Sequence, residues 1–262
     1  MLFLPGDTYA NRMPDPVLQQ VEHFNNPNIT QNDAFKYVTR YFDRITRPEQ
    51  ILQTLPHAIQ TMIDPADCGP ACISLSQDVQ GETFDYPEEF FKEKIHTIRR
   101  PRPDDYQIKQ AADLIKKSKN PIIISGGGIF YSDAMKELSQ FAKKHNIPTA
   151  QTVMGYSTMK KDDPYFLGAI GGFGGKAPND FMKKTDLAIA VGTKLADFTT
   201  GSWTNFENPN FKLVSINVSR FDANKHLAQS IIGDAKVSLQ DLTLNLGGWR
   251  APDDWQKKSR SA

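Results

Sequence analysis

The chain has 262 residues, 23% charged and 39% apolar or aromatic, a length that suits one large domain or two small ones and is enough to bury a core. Thirty-one basic residues against thirty acidic ones leave a formal charge of +1, too little to recruit nucleic acid or an anionic membrane. The apolar run at residues 187–191 is too short to span a bilayer, the opening Met1-Leu2-Phe3-Leu4 lacks the basic lead of a secretory signal, and two cysteines cannot build a disulfide framework, so the expected location is a reducing cytoplasm.

Leu2, Phe3 and Leu4 read as a short strand entering a turn at Pro5-Gly6-Asp7. A folded domain seldom opens on a bare internal strand, so the chain is expected to start inside a larger unit. Residues 16–24 suit a helix with Val17, Val21 and Phe24 on one face. A second helix follows Pro48, which has no N–H to lose in a first turn, and carries Ile51, Leu55, Ile59 and Met62. Residues 71–75, between Gly69-Pro70 and Gln77-Asp78, read as a buried strand. Alternating prolines and charges at residues 99–106 predict an extended, solvated linker; two aspartates beside Arg99, Arg100 and Arg102 argue against a phosphate-binding patch.

Beyond the linker the rhythm becomes regular. Ile108, Ala111, Ala112 and Ile115 form a helix stripe ended by Asn120-Pro121, and Ile122, Ile123 and Ile124 form a buried strand. Ser132 is the expected cap of a helix bearing Met135, Leu138, Phe141 and Ala142, with Asn146 as its left-handed stop. Further strands are expected at residues 149–153, 187–191, 213–218 and 230–232, and a short helix at Phe181-Met182. A last helix, capped by Asp234 and closed by Gly247, carries Val237, Leu242 and Leu246. Short apolar strands alternating with helices predict an α/β domain with a doubly wound parallel sheet over residues 107–250. Residues 1–98 form a separate N-terminal part, and the polar tail 251–262 is expected to fray.

Such sheets bind ligands at the carboxyl ends of their strands. Three glycine-bearing sites fall at such ends: Gly126, Gly127 and Gly128; Gly171 and Gly172 within GAIGGFGGK (168–176); and Gly192. They are the candidate nucleotide pocket. The dinucleotide fingerprint G-x-G-x-x-G fails because Tyr131 takes the third glycine position. The phosphate-loop pattern fails because its first glycine is misplaced and Ala177 stands where a magnesium-binding hydroxyl is needed. The alternative role for all three sites is tight turning and close helix–sheet packing. The five histidines, His23, His57, His96, His145 and His226, are scattered, and Cys68 and Cys72 lack the second pair that would complete a zinc site. No G-x-S-x-G elbow is present, and no acid–base pair stands out among the carboxylates.

Several stretches together resemble the thiamine-diphosphate-dependent enzyme superfamily of acetolactate synthase and its relatives. Residues 69–80 (GPACISLSQDVQ) look like the closing strand of that family's pyrimidine-binding α/β domain. Residues 120–128 (NPIIISGGG), 147–155 (IPTAQTVMG) with 168–171, 186–197 (DLAIAVGTKLAD) and 232–236 (IGDAK) look like successive strands and turns of its Rossmann-like central domain. The opening 4–20 (LPGDTYANRMPDPVLQQ), with 32–35 (NDAF) and 41–45 (YFDRI), resembles the inositol-catabolic branch, whose members open a cyclic 1,2-dione by carbon–carbon cleavage.

The resemblance implies thiamine diphosphate and Mg²⁺ as cofactors of the full enzyme, a small cyclic dione as substrate, a homo-oligomer, and a thiazolium ylid as electron sink. Some relatives hold FAD or ADP in the central domain. The family's glutamate for the aminopyrimidine, and its Gly-Asp-Gly…Asn-Asn metal motif, match no residues here: Gly6-Asp7 is followed by Thr8, Gly233-Asp234 by Ala235, and Asn25-Asn26 has no such motif before it. The chain is therefore expected to be an internal piece, the last part of a pyrimidine domain (1–98) and a whole central domain, inactive alone. A carboligase of the acetolactate synthase type is the alternative.

Overall fold

The computed structural model describes residues 1–11 and 23–260. It divides into two compact units, Met1–Arg99 and Arg100–Ala262. The helix expected at residues 16–24 lies almost wholly outside the described residues.

In the first unit β1 (Leu2–Phe3) and β2 (Gly6–Asp7) pair in parallel with successive halves of one later strand, so the chain does not turn at Pro5 as expected. Proline removes a donor but keeps an acceptor, and the Pro5 carbonyl takes the Leu75 N–H at 2.9 Å, which carries the ladder across the break. β3 (Tyr41–Ile45) is followed by α1 (Ile51–Ile63) and β4 (Ala71–Ser76), the central strand, which β3 flanks on its other side. Ile51, Leu55 and Met62 face the core formed by Ile45, Ala58, Ala71, Ile73 and Val79. Ile59 is not in that stripe, because at 3.6 residues per turn it sits about 80° round the helix from Ile51.

The second unit opens with a latch. The Arg100 guanidinium donates to Asp234 Oδ2 at 3.1 Å and to the Ser132 carbonyl, and Asp234 N–H donates to the Pro101 carbonyl at 2.8 Å. Pro103 is buried, and Asp104 caps α2 (Asp105–Lys117). The stretch expected to be a solvated linker is thus docked from Arg100 onward.

There follow β5 (Pro121–Ser125), α3 (Gly128–Tyr131), α4 (Met135–His145), β6 (Thr149–Gln151), β7 (Phe166–Ala169), α5 (Lys176–Met182), β8 (Leu187–Val191), α6 (Asp197–Thr200), β9 (Lys212–Asn217), α7 (Arg220–Ala223), β10 (Gln229–Ile232), α8 (Ala235–Leu246) and α9 (Asp253–Arg260). All neighbouring strands are parallel, in the order β10-β9-β8-β5-β6-β7. The chain winds outward from β5 to β7, then returns to lay β8 on the other side of β5. This is the doubly wound order, with its switch point between β5 and β8. Alternate residues serve opposite cores: Ile123, Ile189 and Val214 on one face, Ile122, Ile124 and Ala188 on the other.

Two expectations are corrected. Ser132 does not cap α4; it ends α3, and its hydroxyl accepts the Ala235 N–H at 3.2 Å, so it serves α8 instead. Over its described residues, 251–260, the tail is not frayed but carries α9. Trp255 of α9 is 2% exposed, stacks 4.1 Å from Phe181 and donates to the Pro121 carbonyl at 2.8 Å, an anchor that outweighs the charges around it. Among the described residues no helix is long and apolar enough to cross a membrane.

His145, at the end of α4, is wholly buried. Its Nδ1 lies 2.8 Å from the Trp249 carbonyl, which can only accept, so Nδ1 carries the proton and buried Nε2 has no partner. Burial, followed by the charges of Lys144 and Arg250, depresses its pKa below 6.5 against the opposing pull of the Trp249 carbonyl. The ring is therefore neutral in the fold. Its stability contribution is intact above the unfolded-state value near 6.5 and is lost as pH falls. The urea midpoint of the second unit should accordingly fall as pH drops below ~6.5, and His145→Gln should flatten that slope; an unchanged slope refutes the assignment.

Candidate functional site

The switch point sets the loops after β5 and β8 side by side. Gly126 N–H donates to the Val191 carbonyl and Gly128 N–H to the Gly192 carbonyl, both at 2.9 Å. Gly192 has φ +61°, and a Cβ there would stand 2.6 Å from Gly128 Cα and 2.9 Å from its carbonyl carbon. Backbone meets backbone with no room for a side chain. Gly127 faces Met154, in the loop after β6, with the Met154 carbonyl 3.1 Å from where a Cβ would sit.

Gly171 and Gly172 belong to a different contact. Gly172 N–H donates to the Phe198 carbonyl at 2.7 Å, and Gly171, at φ +86°, is clasped by Asn179, which accepts its N–H at 2.8 Å and donates to its carbonyl at 3.0 Å. Gly126, Gly128 and Gly192 therefore pack together, whereas Gly171 and Gly172 pack against α5 and α6. The amides of Gly126 and Gly128 are engaged by carbonyls, and α3 is a single turn, so neither offers the free N–H array that holds a pyrophosphate. Around these loops Met154, Phe173 and Phe198 are largely exposed.

The first unit carries a second cluster at its carboxyl edge, which local spacing could not reveal. Asp7, at the end of β2, has a fully buried side chain and accepts from Arg44 Nε at 2.7 Å, from the Ser74 hydroxyl and from Thr8 N–H at 2.8 Å. The other arm of Arg44 reaches Thr30 Oγ1 at 2.9 Å and Asp33 Oδ2 at 2.8 Å. Asn32 donates to the Gly6 carbonyl at 2.7 Å and to Ser74 Oγ at 2.8 Å. Burial opposes ionisation of Asp7, but the bonds from Ser74, Arg44 and Thr8 outweigh it and hold the carboxyl low. Burial is likewise overcome at Asp33, where Lys36, the Thr30 amide and Arg44 bring it to about 2. One guanidinium thus ties two strand ends to the turn at Gln31–Tyr37.

Residues 108–242, just over half of the chain, match the central domain of the thiamine pyrophosphate enzymes. The chain belongs to that family. It is 49% identical over 242 residues to 3D-(3,5/4)-trihydroxycyclohexane-1,2-dione hydrolase of Clostridium perfringens, 47% over 250 residues to that of Listeria monocytogenes, and 45% over all 262 residues to that of Clostridium tetani. The alignments cover 92%, 95% and 100% of this chain but 38%, 39% and 41% of the relatives, so it spans about two fifths of their length.

The family name implies thiamine pyrophosphate, whose diphosphate is held through a divalent metal by carboxylates and amides. The described residues do not fit such a site. Asp7 is committed to Arg44 and Ser74, and Asp234 caps α8 and binds Arg100. Among the described residues no three His, Cys, Asp or Glu side chains are grouped to hold a metal ion.

Proposed function

We propose that this thiamine pyrophosphate enzyme chain forms the scaffold of a Mg²⁺-dependent hydrolase that opens the ring of trihydroxycyclohexane-1,2-dione in myo-inositol catabolism. In this reading residues 1–98 are the last part of the pyrimidine-binding domain and residues 107–250 the central domain, in a cytoplasmic homo-oligomer. The observation that carries it is 45–49% identity running through both units to relatives bearing that name. The coenzyme supplies the electron sink for carbon–carbon cleavage. This chain supplies the packed body that carries the loops at its strand ends.

The test replaces the matching segment of the Clostridium perfringens enzyme with this chain. The chimera is expected to hydrolyse the dione with thiamine diphosphate and Mg²⁺, whereas the chain alone gives no turnover. A folded chimera that binds coenzyme but leaves the dione intact refutes the substrate; turnover by the chain alone refutes the scaffold role.

A second reading, an FAD or ADP module, is favoured by the switch-point position of Gly126, Gly127, Gly128 and Gly192. Purified protein carrying flavin absorbance or releasable ADP would support it. The engaged amides of Gly126 and Gly128 support packing instead.

A further inference from the structure

Two loops of the second unit hold backbone conformations that their residues disfavour. After α6, Gly201, Ser202 and Trp203 stand in succession at φ +57°, +52° and +67°; before β10, His226 and Leu227 stand at +61° and +56°. Leu195, earlier in the first loop, is at +46°. For any residue but glycine this region crowds Cβ against the following carbonyl oxygen. It is therefore visited singly, mostly by Asn or Asp, and not in runs of bulky side chains. Asn146, at φ +58° where α4 ends, is the ordinary case.

Such conformations persist only where the surroundings hold them. Here the two stretches hold each other. The His226 ring packs edge-on against Trp203, centroids 4.3 Å apart, and reaches the Leu195 carbonyl. Trp203 lies 4.9 Å from Phe206, and both rest, with Ala228, on the core that contains Leu195. Leu227 is fully exposed, so no burial repays its backbone. We infer that residues 224–228 are a strap latched onto the 194–206 loop by the His226–Trp203 contact, and that strap and loop open together as one unit while the sheet stays closed. Opening relaxes the positive φ angles on both sides of the latch. Because the loop begins two residues after Gly192, its release loosens one wall of the switch-point crevice.

Hydrogen exchange of the full chain, resolved to single amides, tests this. The reporters are the Thr204, Asn205 and Phe206 amides, which donate to the Gly201, Thr200 and Trp203 carbonyls, and the Ala228 amide, which donates to the Lys225 carbonyl. All four are expected to share one level of protection, at least ~100-fold below that of β8 and β9. His226→Ala, which removes the latch ring and keeps the backbone demand, should lower all four together by about 10-fold. Leu227→Gly, which relieves the strain, should raise all four together by about 5-fold. β8 and β9 are the internal check on folding and should keep their protection in both variants. Separate responses of residues 204–206 and Ala228, no gain in Leu227→Gly, or an equal fall in β8 and β9 would each overturn the inference.

Discussion

Arg44→Ala is expected to unfold the first unit while leaving the second intact. The substitution strands Asp7, whose side chain is wholly buried, without its counter-charge, and removing one partner of such a pair costs about 3–5 kcal/mol. The unit has little to offset this, because its apolar core is Ile45, Ala58, Ala71, Ile73 and Val79. Hydrogen exchange resolved by peptide should show β2, β3 and β4 losing protection while β5 and β8 keep theirs. Arg44→Lys keeps the charge but cannot reach Asp7 and Asp33 as a fork, so it should lie between the two. Retained protection in Arg44→Ala would show that the cluster is dispensable.

The same cluster makes the unit acid-labile. Asp7 and Asp33 titrate below their ordinary value of 3.8, Asp33 at about 2, so their contribution is present above the unfolded value and disappears as pH falls from about 4 toward 2.

Gly192→Ala is expected to destabilise the second unit by about 3 kcal/mol, from a strained left-handed alanine combined with overpacking against Gly128. The neighbouring atoms are main chain of Gly128, which cannot rotate aside, so the loops after β5 and β8 must separate. Gly172→Ala is the matched control. Its Cβ would meet the Phe198 ring at 3.5 Å and the Phe198 carbonyl oxygen at 3.8 Å, both ordinary contacts, and a change under ~1 kcal/mol is expected. Chemical denaturation of both variants decides the matter. Equal stability would mean that the crevice is looser than its distances indicate.

These contrasts mark where the amino-acid pattern spoke and where it did not. β5 and β8 are continuous apolar runs buried on both faces, so their type and place were readable. β3 was not, because Asp43 and Arg44 interrupt its run with polar side chains, and their partners, Thr54, Asp7 and Asp33, come from other parts of the chain. β7 hid behind Gly168, which sits at φ +115°, next to a register shift opposite Thr149 and Ala150. The candidate glycines stood out as glycines. That Gly192 closes on Gly126 and Gly128, and that Gly171 and Gly172 answer to Asn179 and Phe198 instead, follows from strand order, which spacing does not encode. The tail offered a single aromatic, Trp255, among charges, and a lone anchor carries no periodicity.

The latch at Arg100 also decides where the polypeptide can be severed. Arg100 and Arg102 each precede proline and stand in the docked stretch, whereas residues 93–99 are exposed and without regular structure. A trypsin-like protease, which is blocked by a following proline, therefore meets its accessible seam at Lys94 or Arg99. A nick at Arg99 leaves Arg100 still gripping Asp234 and Ser132. The clasp at the amino-terminal end of the second unit therefore survives such a cut.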